Sequence, residues 1–172
     1  EVTAVGSGVT QWSVDDKVMS LFYPEWFDGK GDPGVIRIIA GDTVDGYAAQ
    51  QSTLSAEAVT RIPDGYSYAE AATLPCAALT AWHIVVEAFA TRPDESVLIE
   101  GTGGLSIFAL QFARAAGARV FATTSSDEKA ERLKALGADI VVNYKTDPAW
   151  GETIFRLSGG VHHVVDVGGP AT

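Results

Sequence analysis

The chain has 172 residues, 47% of them hydrophobic, with twelve Lys or Arg against twenty-two Asp or Glu and a net charge of −10. That apolar content is ample for a packed core and excludes a disordered protein, and the length suffices for one large domain or parts of two. The acidic balance excludes a nucleic-acid binder, whose partner demands a cationic surface, and the single cysteine, Cys76, excludes an intrachain disulfide and a four-cysteine zinc site.

The charge is uneven. Residues 1–95 carry five Lys or Arg against fourteen Asp or Glu, net −9, whereas residues 96–172 carry seven against eight, net −1. No apolar run is expected to approach the roughly 20 residues of a membrane helix, and Glu1 opens no basic-then-apolar signal segment. A soluble, cytoplasmic protein with no membrane partner is the expectation.

In chain order, residues 1–6 (EVTAVG) alternate like a strand, residues 8–9 turn, and residues 17–22 (KVMSLF) make a second short strand. Residues 23–34 are rich in Pro, Gly and Asp and predict an ordered surface loop, in which Trp26 and Phe27 suit a packing cluster better than a substrate mouth. Residues 46–53 and 57–62 predict two more strands, followed by a turn at Pro63-Asp64-Gly65. Ser67-Tyr68-Ala69-Glu70 fits a capping box opening a short helix that ends near Leu74-Pro75. Residues 76–90 predict a helix with Ala77, Trp82, Val85 and Phe89 in the core, and residues 91–95 form a connecting loop.

From Ser96 onward strands and helices alternate, the pattern of a parallel sheet covered by helices. Val97, Leu98 and Ile99 predict a buried strand, and Leu105, Phe108, Phe112 and Ala116 share one face of a helix that Gly117 ends. Between them Gly101-Thr102-Gly103-Gly104, leading into Leu105, lets a ligand's phosphates approach backbone amides and the positive end of the helix. Ser106 stands where G-x-G-x-x-G has its third glycine, so the alternative is a strand-to-helix turn that binds nothing. The order strand, glycine turn, helix, strand is the context a dinucleotide site requires, and it favours binding. There follow a strand at 119–124, a helix at 128–136 closed by Gly137, a strand at 139–142, a helix at 150–157 and a strand at 161–167. The chain reaches Thr172 just as a further crossover is due, with four parallel strands against about six in the full dinucleotide fold.

The ordered set of segments resembles the medium-chain dehydrogenase/reductase superfamily, particularly its zinc-independent quinone-oxidoreductase-like members and the alcohol-dehydrogenase-like proteins close to them. Its carriers are EVTAVGSGVTQWSVDDKV, RIPDGYSYAEAATLPCAALTAW, GTGGLSIFALQFARAAGARVFATTSSDEKAERLKALGADIVVNYK and VVDVGG. The resemblance implies an α/β fold in which a partial GroES-like β domain (residues 1–74) precedes a partial Rossmann domain (residues 75–172), with both ends of the family pattern lying outside the chain. A sheet cut short leaves an unpaired edge, so partner contacts, as a homodimer or larger homo-oligomer, are expected.

The resemblance further implies an NAD(P)H-dependent oxidoreductase that moves hydride between nicotinamide and a quinone, enone or small alcohol/aldehyde. Two alternatives stay open: a non-catalytic nucleotide-binding or interaction module, and a zinc-dependent alcohol dehydrogenase whose ligands lie outside the chain. Where an NAD-preferring domain carries an acid about 20 residues past the first glycine, this chain reads Thr123-Thr124-Ser125-Ser126, which favours NADP. By resemblance Ser125, Lys129 and Tyr144 grip the adenosine phosphate, and Thr80, Val167 and Gly168 lie near the nicotinamide. The counter-reading makes Ser125-x-x-Glu128 a capping box, and Asp127 keeps NAD open. No zinc is expected: Cys76 reads as buried and inert, His83 follows on the same predicted helix face, and His162 and His163 point to opposite faces of a strand. No proton donor stands out, with Tyr23, Tyr47 and Tyr68 the only candidates.

Overall fold

The computed structural model describes residues 1–169; Thr172, where a further crossover is due, lies outside them. These residues divide into two compact units, Glu1–Cys76 and a second starting at Ala77.

In the first unit β1 (Val18–Ser20) pairs antiparallel with β2 (Val59–Arg61), Met19 opposite Thr60. Both are shorter than their sequence patterns, because residues Ala56–Ala58 wind into a 3₁₀ turn whose Ser55 hydroxyl accepts from Glu57 N. The strands expected at residues 1–6 and 46–53 do not form. Val2 makes two backbone bonds, to Asp16 O and from Asp15 N, without a ladder, and residues 41–46 are folded into a turn by Gly41 N bonding Val44 O. Alternation alone cannot make a strand where no neighbouring strand supplies the other half of the hydrogen bonds. The capping box does form: Ser67 Oγ accepts from Glu70 N and Glu70 Oε2 accepts from Ser67 N, opening α1 (Tyr68–Ala71).

The predicted helix over residues 76–90 is broken into a π turn at Leu74–Ala78, α2 (Leu79–Trp82) and a second π turn at His83–Ala88. Each π turn shifts the face that later residues present. Trp82 is therefore 46% exposed rather than in the core, while Ala81 and Val85 are fully buried. Contrary to the composition-based expectation, the 21 residues Tyr68–Ala88, with an 18-residue window of mean hydropathy 1.3, are long and apolar enough to cross a membrane by length and composition. Within it Ala81 and Val85 join the core formed with Ala109, Leu110 and Ala113.

The second unit is a parallel sheet of β3 (Ser96–Ile99), β4 (Arg119–Thr124), β5 (Ile140–Asn143) and β6 (His163–Val165) in the order β5-β4-β3-β6. The helices α3 (Gly104–Ala115), α4 (Asp127–Ala135) and α5 (Trp150–Ser158) alternate with the strands. Successive residues of a strand face opposite sides, and two cores result. Val97, Ile99, Val120, Ala122 and Val165 pack with Leu110 and Leu133, while Leu98, Phe121 and Val142 pack with Ile154. On α3 the innermost positions are the small Ser106, Ala109 and Ala113 together with Leu110; Leu105, Phe108 and Phe112 flank them, and Phe112 meets Trp82 edge-on at 5.4 Å. Small residues let the helix axis approach the sheet closely. At the helix end Gly117, at φ +83°, donates to Arg114 O, and Ala118 N closes onto Ala113 O.

Candidate functional site

The strand order places β3 between β4 and β6, so the chain leaves β3 toward one side of the sheet and returns to it on the other through β6. At such a switch point the crevice beyond the carboxyl ends of the strands stays open for a ligand. A cleft of about 130 Å³ lies there. Its lining comes from all four strand ends: Glu100, Gly101 and Gly103 after β3, Thr123 in β4, Tyr144 after β5, and Val167 and Gly168 after β6, with Ser106 and Trp150 from the helices.

The glycine turn has the form a phosphate requires. Gly101 sits at φ +79°, a conformation that a side chain opposes, and its N–H is held by Thr123 Oγ1 at 3.2 Å. Gly103 has ordinary extended backbone, and a Cβ there would meet nothing within 4 Å, so it would project into free space. Gly103 is also the N-cap of the twelve-residue α3, and no side chain caps that helix. Its first-turn N–H groups, on Gly104, Leu105 and Ser106, are left to an outside acceptor at the positive end of the helix dipole. A pyrophosphate fits this donor set. Ser106 is accommodated in the third-glycine position because its hydroxyl donates to Glu100 O at 3.0 Å while the residue is almost wholly buried.

Of the residues expected to bind cofactor, the cleft brings together Gly101, Gly103, Tyr144, Val167 and Gly168. Thr102, Gly104 and Leu105 complete the same turn and helix start. Ser125 and Lys129 stand further out, after β4 and in the first turn of α4, and Thr80 lies on α2. The capping box of the counter-reading, at Ser125-x-x-Glu128, does not form. Ser126 is the N-cap, its Oγ accepting from Lys129 N, and Glu128 instead pairs with Arg132 at 2.7 Å. Ser125 is thereby free of the helix.

Sequence reasoning missed Glu100, Thr123 and Trp150 as lining residues. Thr123 was legible, since it belongs to the strand end adjoining the glycine turn. Glu100 was not, because its role depends on β6: burial and the charge of Asp166 both raise its carboxyl above the ordinary range, burial being the larger cause. Asp166 in turn accepts from Gly168 N and Gly169 N, which shapes the turn after β6.

Cys76 is exposed, not buried as expected, because it lies on the π turn; His83 is exposed on the next one, and seven residues across two π turns no longer span two regular helical turns. His162 Nδ1 accepts from Ser96 N, whereas His163 Nε2 meets Glu95 Oε2 at 3.2 Å and its ring stacks on Phe89, so the two imidazoles have separate tasks. Among the described residues no group of three or more His, Cys, Asp or Glu could hold a metal ion. Tyr23, Tyr47 and Tyr68 belong to the first unit, and the Tyr68 hydroxyl donates to Glu1.

A family model described as zinc-binding dehydrogenase matches residues 104–172. A zinc-type alcohol dehydrogenase-like protein of Schizosaccharomyces pombe is 41% identical over 99% of this chain and 51% of its own length. The crystal structure of a protein from Sinorhizobium meliloti, assigned as an alcohol dehydrogenase, is 38% identical with a TM-score of 0.90, covering 98% of this chain and 51% of that one. The quinone oxidoreductase of Thermus thermophilus, solved also with NADPH, is 34% identical with a TM-score of 0.58 over 69% of this chain and 39% of that one. The chain spans about half the length of the first of these relatives.

Proposed function

Because the chain belongs to the medium-chain dehydrogenase/reductase superfamily, we propose that it serves an NADP(H)-dependent oxidoreductase, acting on a quinone, enone or small alcohol/aldehyde without zinc. The observation that carries the reading is the uncapped start of α3 above a glycine turn at the sheet's switch point. When bound, the nicotinamide supplies the hydride chemistry. The chain's own residues hold and orient: the N–H groups of Gly104, Leu105 and Ser106 take the pyrophosphate, and Val167 and Gly168 border the cleft at β6. Ser125 and Lys129 offer a hydroxyl and a cation to a 2′-phosphate. Self-association as a homodimer or larger oligomer belongs to the same reading.

The test is a titration with NADPH and NADH followed by nicotinamide fluorescence, on the wild-type chain and on Gly103→Leu. The backbone at Gly103 accepts any residue, so the variant keeps its fold by circular dichroism and loses binding because the side chain fills the cleft. Undiminished binding in Gly103→Leu rejects the site. A zinc-dependent alcohol dehydrogenase is the second reading, favoured by the description of the matched family model. Metal analysis separates the two: zinc far below one per chain is expected, and a stoichiometric zinc overturns the zinc-independent reading.

A further inference from the structure

The end of β5 is joined to the start of α4, which carries Lys129, by a side-chain bond that bears on cofactor choice. Asn143 closes β5 and stands in register beside Thr124, the last residue of β4. Its Nδ2 donates to Asp127 Oδ1 at 2.8 Å, and its Oδ1 accepts from Lys145 N at 3.0 Å. The second bond fixes the first. A backbone N–H can only donate, so the amide oxygen must face Lys145 and the amide nitrogen must face Asp127. Glu128, the other acid in the first turn of α4, is engaged by Arg132. Lys129 has no ion-pair partner among the described residues.

We propose that Asn143 is a positioning residue for cofactor selectivity: by holding the Asp127 carboxylate it keeps that acid from the ribose hydroxyls of NADH and leaves the Ser125 and Lys129 side open to a 2′-phosphate. This rests on the NADP(H) reading above. Asp127 is the one acid at the start of α4 whose carboxylate is restrained from outside that helix, and the restraint comes from the neighbouring strand rather than from the helix itself. Released, it would accept from a ribose hydroxyl and repel a phosphate at the same place.

Dissociation constants of NADPH and NADH, measured by nicotinamide fluorescence on the whole chain, provide the test. In Asn143→Ala the preference for NADPH over NADH is expected to fall about fivefold, the equivalent of one ordinary hydrogen bond. Asp127→Ala should retain the wild-type preference, and Asn143→Ala combined with Asp127→Ala should recover it. If Asn143→Ala loosens the turn after β5, Asn143→Ser replaces it, since a hydroxyl still accepts from Lys145 N but is too short to hold Asp127. Equal losses for both cofactors in either Asn143 variant, or a double variant that stays as unselective as the single one, overturn the proposal alone. A wild-type chain that prefers NADH overturns the NADP(H) reading and this proposal together.

Discussion

The two units of the chain are built on very different cores. Among the described residues, only Ala58, Ile62 and Ala71 of Glu1–Cys76 are buried apolar residues, whereas the unit starting at Ala77 buries the faces of four strands and three helices. The first unit holds together by scattered polar bonds: Trp12 to Ala56 O and Arg61 to Asp16 tie residues far apart in the chain, while the capping box at Ser67 and the Trp26 indole on the carbonyls of Asp28 and Gly29 are local. Such contacts are mostly exposed and individually weak, whereas each fully buried aliphatic side chain contributes about 1.5–3 kcal/mol. Scattered polar bonds therefore hold the first unit, and a shared apolar core holds the second. The candidate site lies wholly in the unit with the deep core, which suits a cleft whose geometry has to be held to fractions of an ångström.

The largest effect that can sharpen this contrast is removal of a core ring. Phe121 is fully buried among Leu98, Val142 and Ile154, so Phe121→Ala should lower stability by about 3–5 kcal/mol in urea denaturation followed by circular dichroism. Trp26→Ala, which removes a larger ring that is 38% exposed in the first unit, should cost less than about 1 kcal/mol in the same experiment. Comparable losses would break the comparison.

Acid provides the next test. Glu95 connects distant parts of the second unit: its carboxylate accepts from Arg92 N, meets His163 sixty-eight residues on and pairs with the Arg92 guanidinium. The backbone bond from Arg92 is the largest cause that holds its carboxyl at about 2, below the ordinary 4.5. A depressed acid contributes stability that is complete above its unfolded value and disappears as pH falls from there toward the folded one. Wild-type stability should accordingly drop between pH 4.5 and about 2, and Glu95→Gln should be less stable at pH 7 with a deficit that closes toward pH 2. Glu70 in the first unit is also depressed, chiefly by the Ser67 hydroxyl, but its partners lie three residues away. Glu70→Gln should therefore change the global transition less than Glu95→Gln does.

The smallest effect concerns backbone strain. Ala90 sits at φ +47° where the chain leaves the second π turn, its neighbours Phe89 and Thr91 bonding Ile84 O and Val85 O. Ala90→Gly relieves a left-handed residue but enlarges the unfolded ensemble, so a net gain of about 0.5 kcal/mol is expected. Thermal denaturation is the check, and a loss of stability would show that the strain is not felt.

Most of the second unit was legible in the chain because its signals are physical requirements with few alternatives. Val97-Leu98-Ile99 is apolar on both faces because both faces are covered, Gly101 is needed at a positive φ, and Gly117 ends a helix that cannot continue. The sequence by itself thus determined the alternation of strand and helix, the place of the glycine turn and the start of α1 at its capping box. Tertiary structure decided the rest. The strands expected at residues 1–6 and 46–53 lack partners, and pairing is a property of two segments. The π turns at Leu74–Ala78 and His83–Ala88 turned Cys76 and Trp82 outward although a regular helix period predicts otherwise. Ser126 rather than Ser125 caps α4, a choice between adjacent hydroxyls that depends on where β4 delivers the chain. Glu100 beside Asp166 and Asn143 beside Asp127 meet only because parallel strands bring their carboxyl ends side by side, a proximity that no spacing along one chain encodes.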